Sequence, residues 1–413
     1  MPQDIHGFND HSDLPWTEAR RRAVDAGTAQ SSRRGAVNLS LDKARDLVLA
    51  EDVRSHIDLP SFDTAAMDGW AVAGTGPWRL VGEAHAGDAR VSLQSGEAIR
   101  ISTGAVVPTG SAVLRSERGI EHDANVTLVP GAEVPSVGSD VRFAGEEVRA
   151  GEVVLSAGVA LTPPAIGLAA AAGFDDLKVV SRPNVGVFIL GDELVDQGVP
   201  RGGEVRDALS PQLPGWIEAM HGSICSSVRV EDSLAATLDA IEDSEPDVIV
   251  TTGGTARGSA DHVRAAVQEL AGTWLVDGVA VRPGHPMKLG ILPAGTLWLA
   301  LPGNPLAAVS ALVTLGEPLL AALSGRITAW VEPEQHVRRP LAGSVECSPG
   351  AHRLIPAQIV EGLVHPALRR GPAMLSGLAS ADVFAVVPPG PSPLPAGADV
   401  AVLPLPWGSG LVV

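Results

Sequence analysis

The chain has 413 residues, too many for one ordinary core, so several domains are expected. Lys plus Arg number 30 against 48 Asp plus Glu, a net charge of −18, which excludes a broadly basic surface for nucleic acid or an anionic membrane. Aromatics are only 3% and Tyr is absent, so cores must be built from Ala, Val, Leu and Ile, while Cys225 and Cys347 form no disulfide framework or metal pattern and fit a reducing cytoplasm.

The first residues, M-P-Q-D-I-H-G-F-N-D, lack the basic and apolar parts of a signal peptide. Thr17 to Ala26 has helical character, and Ser40 is placed to cap a helix over Leu41–Ala50. From Val53 to Asp140 short apolar runs alternate with Gly, Pro and Asp, the pattern of a small β domain. A strand, the Pro163-Pro164 pair and a helix over Ala165–Gly173 follow. The helices flanking the β segment imply an insertion. The expected division is a discontinuous α/β-type dimerisation domain (12–52 and 141–181), an inserted small β domain (53–140), an α/β domain (182–328) and a C-terminal β domain (329–413).

Within 182–328, strands alternate with helices: Val185–Leu190, Pro211–Met220, Val228–Val230, Ser233–Glu242, Val248–Thr251 and Ala260–Leu270. A hairpin-like piece over Val279–Leu292, a strand over Thr296–Leu301 and an apolar helix to Leu323 complete it. Gly316, Glu317 and Pro318 interrupt that apolar run, which reads as a buried helix and not a membrane span. Such alternation implies a three-layer α/β domain with a mostly parallel sheet, whose ligands bind beyond the carboxyl ends of the strands. Gly191–Glu193, Gly253–Asp261 and Pro302–Pro305 all fall there.

The stretch Asp247–Asp261 joins a β-branched strand to a helix through Gly253-Gly254 and Gly258, with Ser259 and Asp261 where the helix begins. Glycine allows close backbone approach, and first-turn amides face an anion. A plain tight turn reads equally well. Asp192, Glu193, Asp207 and Asp261 stand at strand ends or helix starts. Carboxylates there suit Mg²⁺, which takes one or two of them plus phosphate oxygens, although acids at helix starts also serve as simple caps. In the insertion, Asp68 lies in a turn-forming Asp-Gly, and Arg100 and Thr103 lie in R-I-S-T-G, where they can meet an anion or merely shape a turn. His285 and Lys288 in R-P-G-H-P-M-K are phosphate or oxyanion candidates, with a solvated loop the plain alternative. The His residues form no ligand-spaced cluster, which argues against zinc.

Several stretches, in this order, are similar to the molybdopterin molybdenumtransferase family (MoeA and the E domain of gephyrin): L-P-S-F-D-T-A-A-M-D-G-W-A-V (59–72), R-I-S-T-G-A-V-V-P-T-G (100–110), F-A-G-E-E-V-R-A-G (143–151), L-G-D-E-L (190–194), T-G-G-T-A-R-G-S-A-D (252–261), R-P-G-H-P (282–286) and L-P-G-N-P (301–305). The resemblance implies an elongated four-domain homodimer in the cytoplasm. Its substrates are adenylylated molybdopterin and molybdate, it uses Mg²⁺, and it inserts molybdenum with release of AMP. The insertion and the α/β domain of different subunits would line the cleft. Asp68, Glu193 and Asp261 match the family's catalytic acids, and Asp192, Glu193 and Asp261 would hold the metal. Asp192, Gly253, Gly254, Pro302, Asn304 and Pro305 fall in its ligand loops, with Asp207, Arg257, Ser259, His285, Lys288, Arg100 and Thr103 as further substrate contacts.

Departures from the family pattern accompany the match. Leu190 precedes Gly191 in place of Ser/Thr, and Ala256-Arg257 replace a hydroxyl and its neighbour. Ala208-Leu209 stand for S/T-N, His285 for a lysine, Glu147 for an aspartate and Trp70 for a tyrosine. Each lost contact is worth roughly 0.5–3 kcal/mol, and Arg257 is the natural compensating phosphate ligand. Two functions follow: a divergent transferase, or a gephyrin-like dimeric scaffold docking a peptide of a membrane- or cell-division-associated partner between residues 305–330 and the C-terminal domain.

Overall fold

The computed structural model describes residues 13–88, 92–242, 245–253, 262–326 and 336–408. The chain forms two compact units, a smaller one over Val37–Val179 and a larger one of Met1–Ala36 with Val180–Val413.

In the smaller unit, a three-stranded sheet runs in the order Ala36–Ser40, Asp176–Val180, Val48–Leu49. Leu47, Leu49, Leu177 and Val179 pack with Ala165 and Ala169 of the helix Pro163–Ala171. Thr162 caps that helix by accepting the Ala165 N–H at 3.4 Å, with proline in its first turn. The helix expected over Leu41–Ala50 covers only Leu41–Ala44. Asp46 turns the chain at a φ of 64°, and Val48–Leu49 enter the sheet because their side chains complete its core.

The insertion is a six-stranded sheet ordered Ala112–Arg115, Gly69–Val72, Glu97–Ile101, Trp78–Ala84, Asn125–Leu128, Gly119–His122. Its two faces are both buried, by alternate residues. Ala71, Ile99, Ile101 and Val113 form one cluster, and Val72, Trp78, Ala98, Ala112 and Leu114 the other.

The larger unit is built on a six-stranded sheet ordered Ser223–Val230, Asn184–Leu190, Val248–Thr252, Leu297–Leu301, Lys288–Ile291, Thr273–Asp277. The first four strands are parallel, and Lys288–Ile291 is antiparallel to both its neighbours. Residues 248–252 and 297–301 are buried throughout, as strands covered on both faces must be. Val187, Ile189, Val250 and Leu299 face the helices Leu213–Ala219 and Pro305–Leu323. Phe188, Leu190, Ile249 and Trp298 face Leu234–Glu242 and His262–Glu269. The three-layer expectation is met.

The hairpin expected over Val279–Leu292 does not form. Val281–Arg282 runs parallel to His352–Val360 as an edge strand of the C-terminal sheet, while Lys288–Ile291 joins the main sheet. Pro283, which has no N–H for a ladder, separates the two. The C-terminal sheet continues through Val383–Val387 and Asp399–Pro404 to Arg338–Pro340. Its Leu354, Phe384, Val386 and Leu403 share one core with the α/β sheet.

Helix Trp16–Ser31 also belongs to the larger unit, whereas the sequence pattern grouped it with residues 37–52 and 141–181. Its buried face of small residues, Ala19, Ala23, Ala26 and Gly27, lets it close on the helix ending at Leu323. Pro305–Leu323 has the length and apolarity of a membrane span but is buried almost entirely, as a core helix is.

Candidate active site

Parallel register brings three strand ends of the larger unit side by side, with Ile189 opposite Thr252 and Thr252 opposite Leu301. The residues that follow are Gly191, Gly253 and Pro302. Gly253 donates its N–H to the Leu301 carbonyl at 3.0 Å and has a φ of +84°. A Cβ there would stand 3.0 Å from the Leu190 carbonyl oxygen, and one on Gly303 would stand 3.6 Å from the Gly253 Cα. Three loops thus meet backbone to backbone, and at Gly253 a side chain would be both crowded and strained. Asp192 and Glu193 are exposed on the first loop. Asp192 Oδ1 accepts the Asp232 N–H at 3.2 Å, and Arg229 reaches the Gly191 carbonyl at 3.3 Å. Gly254, Arg257, Ser259 and Asp261 lie outside the described residues. Thr251 and Thr252 are buried, and Thr251 accepts the Trp298 indole N–H at 3.0 Å, which makes it a core residue and not a nucleophile.

On the Pro302–Pro305 loop, Pro302 is buried and Asn304 is exposed at the N-cap of the helix that Pro305 opens. The next two amides, of Leu306 and Ala307, donate to the Pro372 carbonyl at 2.9 and 3.1 Å. A carbonyl from the C-terminal domain, not an anion, therefore satisfies this turn. Next to it sits the R-P-G-H-P turn, where a Cβ on Gly284 would stand 3.0 Å from the Ala307 carbonyl oxygen. His285 is exposed there.

Two expected ligand contacts are placed differently. Lys288 is 3% exposed, and its Nζ lies 3.0 Å from Asp277 Oδ1, inside the sheet edge and not on the loop surface. The strand that carries it is buried on both faces, so Lys288 and its neighbour Leu289 both lie inside. Asp207 is buried, and its Oδ1 accepts the N–H groups of Leu209 at 2.8 Å and Ser210 at 3.0 Å, with the Ser210 hydroxyl on Oδ2. It holds its own loop together. Asp207→Ala is therefore expected to cost about 2 kcal/mol of stability, since it leaves the buried Leu209 amide and the Ser210 amide without their acceptor. Urea unfolding measures this, and an unchanged midpoint would refute the loop-closing role.

In the insertion, the sequence-selected residues do come together. Thr103 donates to Asp68 Oδ1 from its N–H at 2.7 Å and its hydroxyl at 2.9 Å. The backbone bond first, then the hydroxyl, holds the Asp68 carboxyl below the usual aspartate range. Arg100 Nε donates to Glu121 at 2.9 Å, with Glu83 3.9 Å away, and Trp70 donates its indole N–H to Glu121 at 3.3 Å. Trp70, Glu83, Arg100 and Glu121 line an open cleft of about 290 Å³ with His85, Ser102 and Ser116, while Asp68 and Thr103 are sequence neighbours of its lining. Glu121 and Glu83 carried no sequence signal, because they are reached only through pairing across strands. Among the described residues no three His, Cys, Asp or Glu side chains are grouped to hold a metal unaided.

A three-layer α/β sheet with close-set glycine loops, a β insertion and a β tail is the architecture of a multidomain molybdopterin-binding protein. Residues 186–322 match the family described as a probable molybdopterin binding domain, 14–173 the MoeA N-terminal region (domain I and II) and 338–405 the MoeA C-terminal region (domain IV). The molybdopterin molybdenumtransferase of Haemophilus influenzae is 32% identical over 308 residues, 71% of this chain and 74% of the relative. That of Synechococcus elongatus is 31% identical over 377 residues, covering 86% and 91%. The solved structure of a molybdopterin biosynthesis MoeA protein from Pyrococcus horikoshii superposes with a TM-score of 0.77 at 26% identity, over 95% of this chain and 99% of that one. The chain belongs to the molybdopterin molybdenumtransferase (MoeA) family, which acts in molybdenum cofactor biosynthesis. The relatives do not favour the scaffold alternative.

Proposed function

We propose that the chain is a working molybdopterin molybdenumtransferase that takes adenylylated molybdopterin and molybdate, inserts the metal into the dithiolene and releases AMP. The supporting observation is the three-loop meeting at Gly253, Leu190 and Gly303, which keeps the backbone shape of a ligand site where side chains have changed. Leu209, which replaces a polar residue of the family pattern, is buried and fills core, so that loop retains its form without the polar group. Asp192, Glu193 and, by its motif, Asp261 would hold Mg²⁺, which would neutralise phosphate charge when bound. Asp192, Gly253, Gly254, Pro302, Asn304 and Pro305 would shape the pterin-phosphate site, with Arg257, Ser259 and His285 offering polar contacts. Arg100 and Thr103 act through acids, Glu121 and Asp68 respectively.

Asp68 is ionised at neutral pH as an ordinary aspartate is, and the Thr103 hydrogen bonds favour that form further. It serves as a fixed charge and acceptor. Asp68→Ala is expected to lower AMP release and molybdenum incorporation by roughly a hundredfold or more. Full activity in that variant would remove the role, and an active Asp261→Ala would do the same for Asp261. The chain is further proposed to act as a cytoplasmic homodimer, which light scattering of the purified protein tests. Against peptide docking along residues 305–326 stands the burial of most of Leu306–Leu323, with the Pro372 carbonyl on the amides at its start.

A further inference from the structure

Helix Pro305–Leu323 is not α-helical throughout. Leu312–Gly316 forms a single π-turn, in which the Glu317 N–H donates to the Leu312 carbonyl, five residues back. In a regular α-helix that N–H would serve Val313. The Thr314 carbonyl would need the N–H of residue 318, which is proline and has none. Neither the Val313 nor the Thr314 carbonyl therefore has its α-helical donor, in the middle of a buried element.

Arg20 supplies both. From helix Trp16–Ser31 its Nη1 donates to the Val313 carbonyl at 2.7 Å and to that of Thr314 at 3.4 Å. Its Nη2 lies 2.9 Å from Glu317, which follows the π-turn. Trp16 donates its indole N–H to the Thr314 hydroxyl at 3.1 Å, and the Arg20 guanidinium lies 5.1 Å from the centre of the Trp16 ring. Arg20 is 1% exposed, an arginine buried against backbone oxygens. The same helix begins at Pro305, directly after the Pro302–Gly303–Asn304 loop that meets Gly253. One residue of register in a helix is a turn of about 100° and about 1.5 Å of rise. The π-turn therefore decides where the start of the helix, and the loop joined to it, stand at the sheet edge.

We propose that Arg20 is a positioning residue for the transferase reaction: it holds the π-turn in place and so sets the Pro302–Pro305 loop against Gly253. The proposal rests on the reading that this loop contacts adenylylated molybdopterin. The test uses the full chain as Arg20→Met, Arg20→Lys and Arg20→Met with Pro318→Ala. The added alanine gives the Thr314 carbonyl a backbone donor and protects folding while leaving the turn unpinned.

Arg20→Met is expected to stay folded by circular dichroism, with KM for adenylylated molybdopterin raised roughly tenfold and kcat little changed. Amide hydrogen exchange at Leu306 and Ala307, far from Arg20 in sequence, is expected to speed up, and Arg20→Lys to recover part of both effects. A lowered melting temperature with unchanged KM and unchanged exchange at those amides would overturn the proposal and leave Arg20 a packing residue. If Arg20→Met does not fold, the double variant decides by the same readouts. If the wild-type chain turns nothing over, the transferase reading fails, while the exchange measurement still decides whether Arg20 sets the helix start.

Discussion

Gly253→Ala is expected to destabilise the larger unit by about 2–4 kcal/mol and to weaken molybdopterin binding at least tenfold. Two costs combine. A φ of +84° is left-handed backbone, which costs an L-residue about 1–2 kcal/mol. The new Cβ would also stand 3.0 Å from the Leu190 carbonyl oxygen, so a neighbouring strand end must give, at about 1–3 kcal/mol for an overpacked site. That strand end carries Asp192 and Glu193, and Gly303 lies on the opposite side, so the strain falls on the loops proposed to hold the ligand. Gly343→Ala is the control, because its Cβ would meet nothing within 4 Å, and it should stay within about 0.5 kcal/mol of the parent. Urea midpoints of both variants, with calorimetric titration of molybdopterin, make the comparison. A Gly253→Ala chain as stable and as tightly binding as the parent would show that the loops tolerate side chains, and the glycines would lose their place in the site.

The same geometry explains what could be read from the residues alone. The α/β layers were legible because Val185–Leu190 and Val248–Thr252 are short, β-branched, mostly apolar stretches ended by glycine, as strands buried on both faces are. The insertion was legible from turn residues at regular spacing. Asp68 and Thr103 lie far apart in sequence, yet each sat in a recognisable turn, and strand pairing between Gly69–Val72 and Glu97–Ile101 brings them together.

Other features depended on long-range partners that leave no local mark. Nothing near Lys288 shows that Asp277 will claim it, and R-P-G-H-P-M-K reads as a loop until Val281–Arg282 finds the C-terminal sheet. The Pro302–Pro305 loop reads as a ligand loop, and nothing in it shows that the Pro372 carbonyl will take the amides of Leu306 and Ala307. The stop at Ala44 was hidden for a similar reason, since Leu47 and Leu49 are drawn away by a core that residues 161–179 complete. Pro318 was visible as an interruption, but the group that reaches the Val313 and Thr314 carbonyls beside it, Arg20, comes from a helix nearly three hundred residues away.

The second large effect expected is on stability, at Asp277. This carboxylate receives Arg264 Nη2 at 2.7 Å on both oxygens and Lys288 Nζ at 3.0 Å, and Lys288 also lies 5.7 Å from the Trp274 ring. Burial alone would push the Asp277 carboxyl up. The hydrogen bonds from Arg264 and Lys288 outweigh it and hold the group below its ordinary value. A carboxyl whose folded value is depressed contributes stability that is fully present above its unfolded value. That contribution is lost as pH falls through the folded one. Asp277→Asn takes a carboxylate away from an ammonium that is 3% exposed. The expected loss near neutral pH is about 2–3 kcal/mol. That is below the 3–5 typical of a fully buried pair, because Asp277 itself keeps part of its surface in water. The gap between parent and variant should close as the medium is acidified past the carboxylate range, where the parent's Asp277 is protonated as well. Adding Lys288→Met to Asp277→Asn should recover part of the loss, since an apolar side chain needs no counter-charge there. Urea unfolding across pH on the parent, both single variants and the double variant measures each quantity, and a gap that stays constant into acid would mean that the Asp277 charge contributes nothing.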